Sequence, residues 1–259
     1  MPKFDINISK NVTNLVSEPL HNLLDKPTAA LGEGIASIFD LVFVIPKHLS
    51  QVYKQKAEAY KQEIENKAEK IPPENLTEPD FHTVYVALEN SKSCITNEAL
   101  RKMFVNLIGS SMNSLTSNSV HPSFASIINQ MSVLDAKLLM TFEFRESYPV
   151  LELREKVDHD GYQIFMTNLF SYITLNEGDC IDLNVAQIQS SISNLDRLGL
   201  IKVDYLQHLT GAQSYSDLEE SANKLYEGHS IAVKNRLMQK GVAFLTPFGK
   251  DFINVCLSD

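Results

Sequence analysis

The most apolar stretch of the chain, AALGEGIASIFDLVFVI at residues 29–45, constrains the fold more than any other feature. A membrane-spanning helix needs about 20 consecutive apolar residues with few or no charges, whereas this stretch is shorter and contains Glu33 and Asp40. At about 100° per residue, Glu33, Ser37 and Asp40 form one narrow polar stripe on an otherwise apolar helix. Such a helix must bury most of its circumference, so we predict that it packs in a protein core.

An alternative is that this helix leaves the core on activation and lies in a membrane interface. It would then contact lipid through six apolar side chains: Leu31, Ile35, Ile38, Phe39, Val42 and Phe43. Residues 1–70 contain 9 basic and 9 acidic side chains, whereas residues 71–259 contain 14 and 23 and carry the whole net charge of −9. Because an acidic surface is repelled by anionic lipid, any membrane contact is expected in the neutral N-terminal region.

A second helix is predicted after Pro46, over residues 47–70. Its apolar positions follow one another at spacings of 4, 3, 4 and 7, in the order Tyr53, Ala57, Tyr60, Ile64 and Ile71. Lys67 lies in the same seam, so a packed amphipathic helix is favoured over an autonomous coiled coil.

The sequence Ile71-Pro72-Pro73 ends this helix, and Thr77 is predicted to cap the next one, with Pro79 in its first turn. From residue 79 to residue 146 the apolar periodicity is helical throughout. Ser132 and Asp135 form the S-x-x-D pattern of a capping box at the start of the last helix in this run.

Three segments of this central region, taken in order, resemble one known family. They are IPPENLTEP, NEALRKMFVNLIGSSMN and VHPSFASIINQMSVLDAKLL, which begin at residues 71, 97 and 120. They resemble the Abi-alpha domain family, whose name records an association with abortive infection by phage. The resemblance implies a bacterial, cytoplasmic protein linked to phage defence, and it brings no catalytic residues. A structural role is expected for the motif residues His121, Pro122, Phe124 and Asp135.

The C-terminal third follows the order of elements in a winged helix. Residues 150–157 are the first predicted strand, residues 161–174 a helix, and residues 185–198 the helix in the recognition position. Gly199 fits the left-handed position that ends such a helix. The sequence Thr246-Pro247 is predicted to cap a final helix.

Two short strands, residues 201–205 and 242–245, would form the wing. The connection between them is long for a wing. Ser216 and Glu219 predict a capping box, so a helix over residues 217–227 is expected inside this connection.

Reading DNA with a winged helix requires basic and amide side chains on the outer face of the recognition helix. The candidates here are Gln187, Ser190, Ser191, Asn194 and Arg197. Residues 180–259 contain 7 basic against 9 acidic side chains, the reverse of what phosphate binding requires. We therefore expect a protein-interaction module and keep a DNA-binding transcriptional regulator as an alternative.

The sequence lacks the common catalytic motifs. It contains no GxxxxGK[ST], GxGxxG or GxSxG pattern, and its 7 His are dispersed. Cys94, Cys180 and Cys256 lie too far apart along the chain for a CxxC site, and so few Cys indicate a reducing compartment. We predict no enzyme activity, no catalytic or metal-ligating residue and no cofactor. A hydrolase assembled from distant residues stays open.

These observations predict a mainly α protein, with an N-terminal helical region followed by a winged-helix-like α+β C-terminal domain. The expected parts are residues 1–71, 72–131 and 132–259. Residues 1–10 show no basic and apolar regions of a signal peptide, so a cytoplasmic location is expected. We expect a non-enzymatic anti-phage protein that contacts a protein partner or a second copy of itself. Nucleic acid is a disfavoured partner, and the alternatives are the membrane-perturbing effector and the transcriptional regulator.

Overall fold

The computed structural model describes residues 27–43, 51–157, 161–170, 185–211 and 213–258, with side chains from residue 34 onward. These residues fall into two compact units: unit 1 within Met1–Gln130 and Asn254–Asp259, and unit 2 within Met131–Ile253. The fold is mainly α with one antiparallel sheet, in agreement with the predicted class. The division into three domains stays a prediction.

In its described part, unit 1 is built mainly of α-helices. The helices are α1 (Pro27–Val42), α2 (Gln51–Glu69), α3 (Phe81–Ser91), α4 (Glu98–Ser111) and α5 (Phe124–Asn129). The seam predicted for α2 is buried at Ala57, Tyr60 and Ile64, and the helix ends before the two prolines as expected. The periodicity of this helix therefore predicts its packed face correctly.

The predicted start of α3 was wrong. Asp80 caps the helix, because its carboxylate accepts hydrogen bonds from the Thr83 backbone N–H and hydroxyl, both at 2.8 Å. These bonds hold the pKa of Asp80 below its ordinary value. Thr77 instead donates its backbone N–H to Met112 O at 2.8 Å. A carboxylate next to the first turn is a stronger acceptor than a hydroxyl three residues earlier, so it fixes the helix start.

Residues from the C-terminal end of the chain complete unit 1. A π-helical turn covers Ile253–Leu257, and burial raises the pKa of the Cys256 thiol. The last carbonyl groups of a helical turn have no partner within the turn, and here α4 supplies hydrogen-bond donors to two of them. Asn106 Nδ2 donates to Cys256 O at 3.2 Å, and Ser110 Oγ donates to Val255 O at 2.9 Å.

Unit 2 combines four strands with four helices in its described part. The elements are α6 (Val133–Phe144), β1 (Ser147–Lys156), β2 (Tyr162–Phe170), α7 (Val185–Arg197), β3 (Ile201–Asp204), α8 (Ser216–Gly228), β4 (Arg236–Leu245) and α9 (Pro247–Phe252). The sheet order is β2-β1-β4-β3, and all neighbouring strands are antiparallel. Strands β2 and β3 are therefore the edges of the sheet.

The helix predicted over residues 161–174 was also wrong. Residues 162–170 form strand β2, which pairs with β1 from Lys156 opposite Tyr162 to Val150 opposite Phe170. Val157 N donates to Gly161 O at 3.1 Å, which closes the hairpin. The run Tyr162-Gln163-Ile164-Phe165 is rich in aromatic and β-branched residues, which suit a strand. The run is too short for its periodicity to distinguish a strand from a helix. Residues 171–174 lie outside the described residues, and the winged-helix assignment stays a prediction.

The end of α7 confirms the prediction for Gly199. This residue has φ of +74°, Gly199 N donates to Asp196 O at 3.0 Å, and Leu200 N donates to Leu195 O at 3.1 Å. These are the two hydrogen bonds of a Schellman ending. The chain then enters β3, which pairs with β4 from Ile201 opposite Leu245 to Asp204 opposite Val242, as predicted.

The helix predicted inside the wing connection exists as α8, but its predicted cap was wrong. Tyr215 holds the N-cap position without a side-chain capping hydrogen bond, and Ser216 is the first helical residue, with its Oγ donating to Gln213 O at 2.8 Å. Glu219 forms an ion pair with Lys240 at 2.8 Å. The inner face of α8 packs Leu218 and Tyr226 against the buried side of the sheet. Thr246 caps α9 as predicted, accepting from Gly249 N at 2.9 Å.

Candidate functional site

The apolar residues that were predicted for membrane contact lie in the core of unit 1. Ile35, Ile38, Phe39, Val42 and Phe43 are all buried, and the side chain of Leu31 lies outside the described residues. The polar stripe of α1 is exposed at Ser37 and Asp40, and Asp40 pairs with Lys61 of α2 at 2.8 Å. No helix in the described part of the chain is long and apolar enough to cross a membrane.

An aromatic cluster holds α1 against α2. The rings of Phe39 and Phe43 stack with centroids 4.3 Å apart, and they lie 5.7 and 6.0 Å from the ring of Tyr60. The Tyr60 hydroxyl is fully buried and has no hydrogen-bond partner among the described residues. Burial raises the pKa of Tyr60, and the nearby Ser91 hydroxyl acts in the opposite direction. The Ser91 hydroxyl donates its proton to Leu88 O at 2.7 Å.

The family-motif residues have local structural contacts. Phe124 is fully buried at the start of α5, and Pro122 lies exposed in the turn before it. The His121 ring is exposed, and its Nδ1 accepts from Ser123 N at 3.2 Å and lies 2.7 Å from Ser123 Oγ. Because Nδ1 accepts from a backbone N–H, a neutral His121 ring carries its proton on Nε2.

Asp135 joins two helices of unit 2. It completes the predicted capping box, with Asp135 N donating to Ser132 Oγ at 3.1 Å and Asp135 Oδ2 accepting from Ser132 N at 2.6 Å. The same carboxylate oxygen accepts from Asn194 Nδ2 of α7 at 3.1 Å. A residue predicted for the family motif and one predicted for DNA reading are therefore partners of each other.

The remaining residues predicted to read DNA differ in their surroundings within unit 2. Ser191 is buried, and Arg197 donates to Asn194 Oδ1 through Nη2 at 2.7 Å. Gln187 and Ser190 are exposed. Strand β2 lies along this face of α7, where Gln189 donates to Thr167 O and Asn168 Nδ2 donates to Ser193 Oγ at 2.9 Å. The open groove between β2 and α7 measures about 670 Å³.

Sequence reasoning did not identify an apolar patch on the outer face of the sheet. Pairing places Ile164 of β2 and Leu237 of β4 on either side of Arg154 in β1, with Tyr162 two pairs further along and therefore on the same face. Tyr162 is 51% exposed, Ile164 55% and Leu237 40%. We call Tyr162, Ile164, Leu237 and Arg154 the sheet-face patch. Assigning residues 161–174 to a helix hid this patch, because only the strand register brings the residues together.

The Arg154 guanidinium is held at the centre of the sheet-face patch. It lies 4.3 Å from the centroid of the Tyr162 ring, and its Nε donates to Glu152 Oε1 at 2.6 Å. Its Nη1 also donates to Gln239 Oε1 at 3.3 Å. An arginine that is stacked and bonded in this way loses little conformational freedom when a partner covers it.

A second surface that the sequence did not indicate is a groove in unit 1 between α2 and α4. It measures about 550 Å³. We call it the basic groove, and its lining residues are Glu63, Asn66, Lys67, Lys70, Glu98, Arg101, Lys102, Val105 and Asn106. The sequence shows each lining face separately, as residues at positions i, i+3, i+4 and i+7, but it does not indicate that the two faces lie opposite each other.

Among the described residues, no group of three or more His, Cys, Asp and Glu side chains is placed to hold a metal ion. Cys94 and Cys256 are buried free thiols, and Cys180 lies outside the described residues.

The arrangement defines a mainly helical protein whose second unit carries a four-stranded antiparallel sheet. The family model "Abortive infection alpha" matches residues 52–256, which is most of the chain. The chain therefore belongs to the abortive infection alpha family, which associates it with phage defence. The matched range begins within α2, so α1 precedes it. Comparisons with curated proteins and with solved structures find no match.

Proposed function

We propose that this abortive infection protein acts in phage defence through protein contacts rather than through catalysis. The sheet-face patch is the observation that carries the proposal. It combines a tyrosine and an arginine, two residue types that are enriched among those that dominate binding energy at protein interfaces, with two aliphatic side chains on the same face. Family membership supports the defence role, and the lack of catalytic sequence motifs supports a non-enzymatic one.

The patch suits a protein partner better than a small molecule because it is a surface and not an enclosed cleft. Ile164 and Tyr162 belong to edge strand β2, so a partner that covers them can also pair with the strand edge. The partner is a phage or host protein, or a second copy of the chain. We also propose that the protein is cytoplasmic. We further propose that α7, β3 and β4 form a winged helix and that this winged helix is an interaction module.

The test is phage challenge of cells that express the protein with Ile164→Asp and Leu237→Asp together. Two charges in the patch should abolish an interaction that depends on burying it, so plaque numbers should return to those of cells without the protein. Leu206→Asp is the matched control, because Leu206 is 95% exposed and follows β3 at the opposite edge of the sheet. It should protect like the wild type.

Circular dichroism and expression level show whether the double variant is folded. Full protection by a folded double variant would remove the patch from the mechanism. Unchanged plaquing by the expressed wild type across a broad phage panel would remove the defence role itself.

The membrane-perturbing effector remains a second candidate, supported by one observation. The apolar face of α1 is held by packing and by the exposed Asp40–Lys61 ion pair, so separating α1 from α2 would present a continuous apolar surface. Co-sedimentation of the wild type with liposomes, weakened by Ile38→Asp, would support it. The transcriptional regulator is less favoured, because Asn194 and Arg197 already bond within unit 2 and Ser191 is buried.

A further inference from the structure

The basic groove has the size and walls of a small-molecule site. Residues 63, 66 and 67 of α2, with residue 70 directly after its end, lie on one helix face, and residues 98, 101, 102 and 105 lie on one face of α4. Both helices are anchored by fully buried side chains that lie beside these faces, such as Tyr60 and Phe104. A volume of about 550 Å³ falls within the range of ligand pockets.

The charge of this groove is opposite to that of the chain. Lys67, Lys70, Arg101 and Lys102 line it together with Glu63 and Glu98, so it contains four positive and two negative groups. The chain as a whole has a net charge of −9. A concave site of the opposite sign concentrates anions, because the low-dielectric walls focus its field.

Arg101 forms a fixed floor for the groove. The residue is only 5% exposed, and its Nε and Nη2 donate to the two carboxylate oxygens of Glu63 at 2.9 Å each. Its Nη1 donates to Ile95 O at 3.1 Å. The bidentate pair with Glu63 fixes the position of the Arg101 guanidinium and offsets its charge. The three lysines therefore supply the remaining positive charge of the groove.

The position of Lys67 is also set by packing. Its Cγ lies only 2.5 Å from the point where a Cβ on Gly109 would stand, so the stem of Lys67 passes directly over the α4 backbone. A larger residue at position 109 would displace it. The small residue therefore lets the Lys67 stem run close to the α4 backbone beside the groove.

We propose that the basic groove binds a small phosphorylated molecule that carries at least two negative charges. Three ammonium groups around one concave site match a phosphate group, which offers several charged oxygen acceptors in different directions, better than they match a single carboxylate. A groove of about 550 Å³ between two helices suits a free small molecule better than a phosphate in a polymer or a lipid headgroup. This inference is independent of the sheet-face patch, and it gives the defence protein a ligand that can signal infection.

Isothermal titration calorimetry of the full-length protein with pyrophosphate at physiological salt tests the proposal. Saturable binding is expected, and Lys70→Gln with Lys102→Gln should weaken it at least about tenfold, because two of the three ammonium groups are removed. Both lysines are exposed, so the fold should persist, which circular dichroism can check. Lys54→Gln is the control, since Lys54 lies on the opposite side of α2 from Lys67 and the substitution removes one charge of the same sign outside the groove.

Further arms use a single-stranded oligonucleotide and vesicles that contain phosphatidic acid. Tighter binding of pyrophosphate to the wild type than to the groove variant, with Lys54→Gln equal to wild type, supports the proposal. The absence of saturable binding overturns it, and so does an equal loss in the control, which would indicate non-specific charge attraction. Binding to the oligonucleotide or the vesicles without binding to pyrophosphate would assign the groove to a different ligand and also overturn it.

Discussion

Two groups of apolar side chains have opposite positions in this fold. The continuous apolar run of α1 is buried, including Ile38 and Phe39, whereas the scattered residues Tyr162, Ile164 and Leu237 gather into an exposed patch. The run is visible in the sequence, and the patch is not. Local apolarity therefore predicts what must be buried, while exposure of an apolar surface depends on strand register and is the better guide to binding.

The largest effect should come from breaking the buried group. Phe39→Ala removes a ring that stacks on Phe43 and packs on Tyr60, so we expect the free energy of unfolding to fall by about 3–5 kcal/mol. Ile164→Ala in the patch should change it by less than about 1 kcal/mol, because this side chain is more than half exposed. Urea denaturation measures both.

This pair of variants can contradict the comparison in two ways. A small loss for Phe39→Ala would mean that α1 contributes little to the core of unit 1. A large loss for Ile164→Ala would mean that the patch stabilises the fold itself, and it would then be a poor candidate for an interface.

A second comparison concerns two buried tyrosines, one in each unit. The Tyr226 hydroxyl accepts from Arg154 N at 3.0 Å and donates to Leu237 O at 2.6 Å, whereas the Tyr60 hydroxyl has no partner among the described residues. Tyr226→Phe leaves a backbone donor and a backbone acceptor of the sheet without this hydroxyl. We expect the free energy of unfolding to fall by about 1–3 kcal/mol.

Urea denaturation checks this value against Tyr162→Phe as the control. Tyr162 belongs to the same sheet but is half exposed, so water can satisfy groups near its hydroxyl and the stability should hardly change. Equal effects of the two substitutions would show that the Tyr226 hydrogen bonds contribute nothing beyond the ring.

Local sequence signals predicted the parts of the fold that depend on neighbours in the chain. The seam of α2, the capping box of Ser132 and Asp135 and the left-handed Gly199 all depend on contacts within a few residues. Strand β2 was missed because a short apolar run fits both a helix and a strand, and pairing with β1 decides between them.

The sites show the same limit. The bond between Asn194 and Asp135 joins residues 59 positions apart, so the sequence alone presents Asn194 as a free amide on a helix face. The basic groove requires α2 to face α4, which periodicity does not specify. Each helix face was visible, but the pairing of faces that makes a site comes from tertiary packing.

The smallest effect should come from Tyr60→Phe, and its sign is opposite to that of Tyr226→Phe. Removing a fully buried hydroxyl that lacks a partner leaves the ring contacts with Phe39 and Phe43 in place, so the free energy of unfolding should stay equal or rise by up to about 1 kcal/mol. Thermal and urea denaturation would detect the change. Clear destabilisation would show that the hydroxyl bonds to Ser91 in solution, and Ser91→Ala should then produce a similar loss. A neutral or stabilising result would mean that unit 1 keeps a polar group in its aromatic cluster at a cost to stability, directly beneath the helix that the membrane hypothesis requires to move.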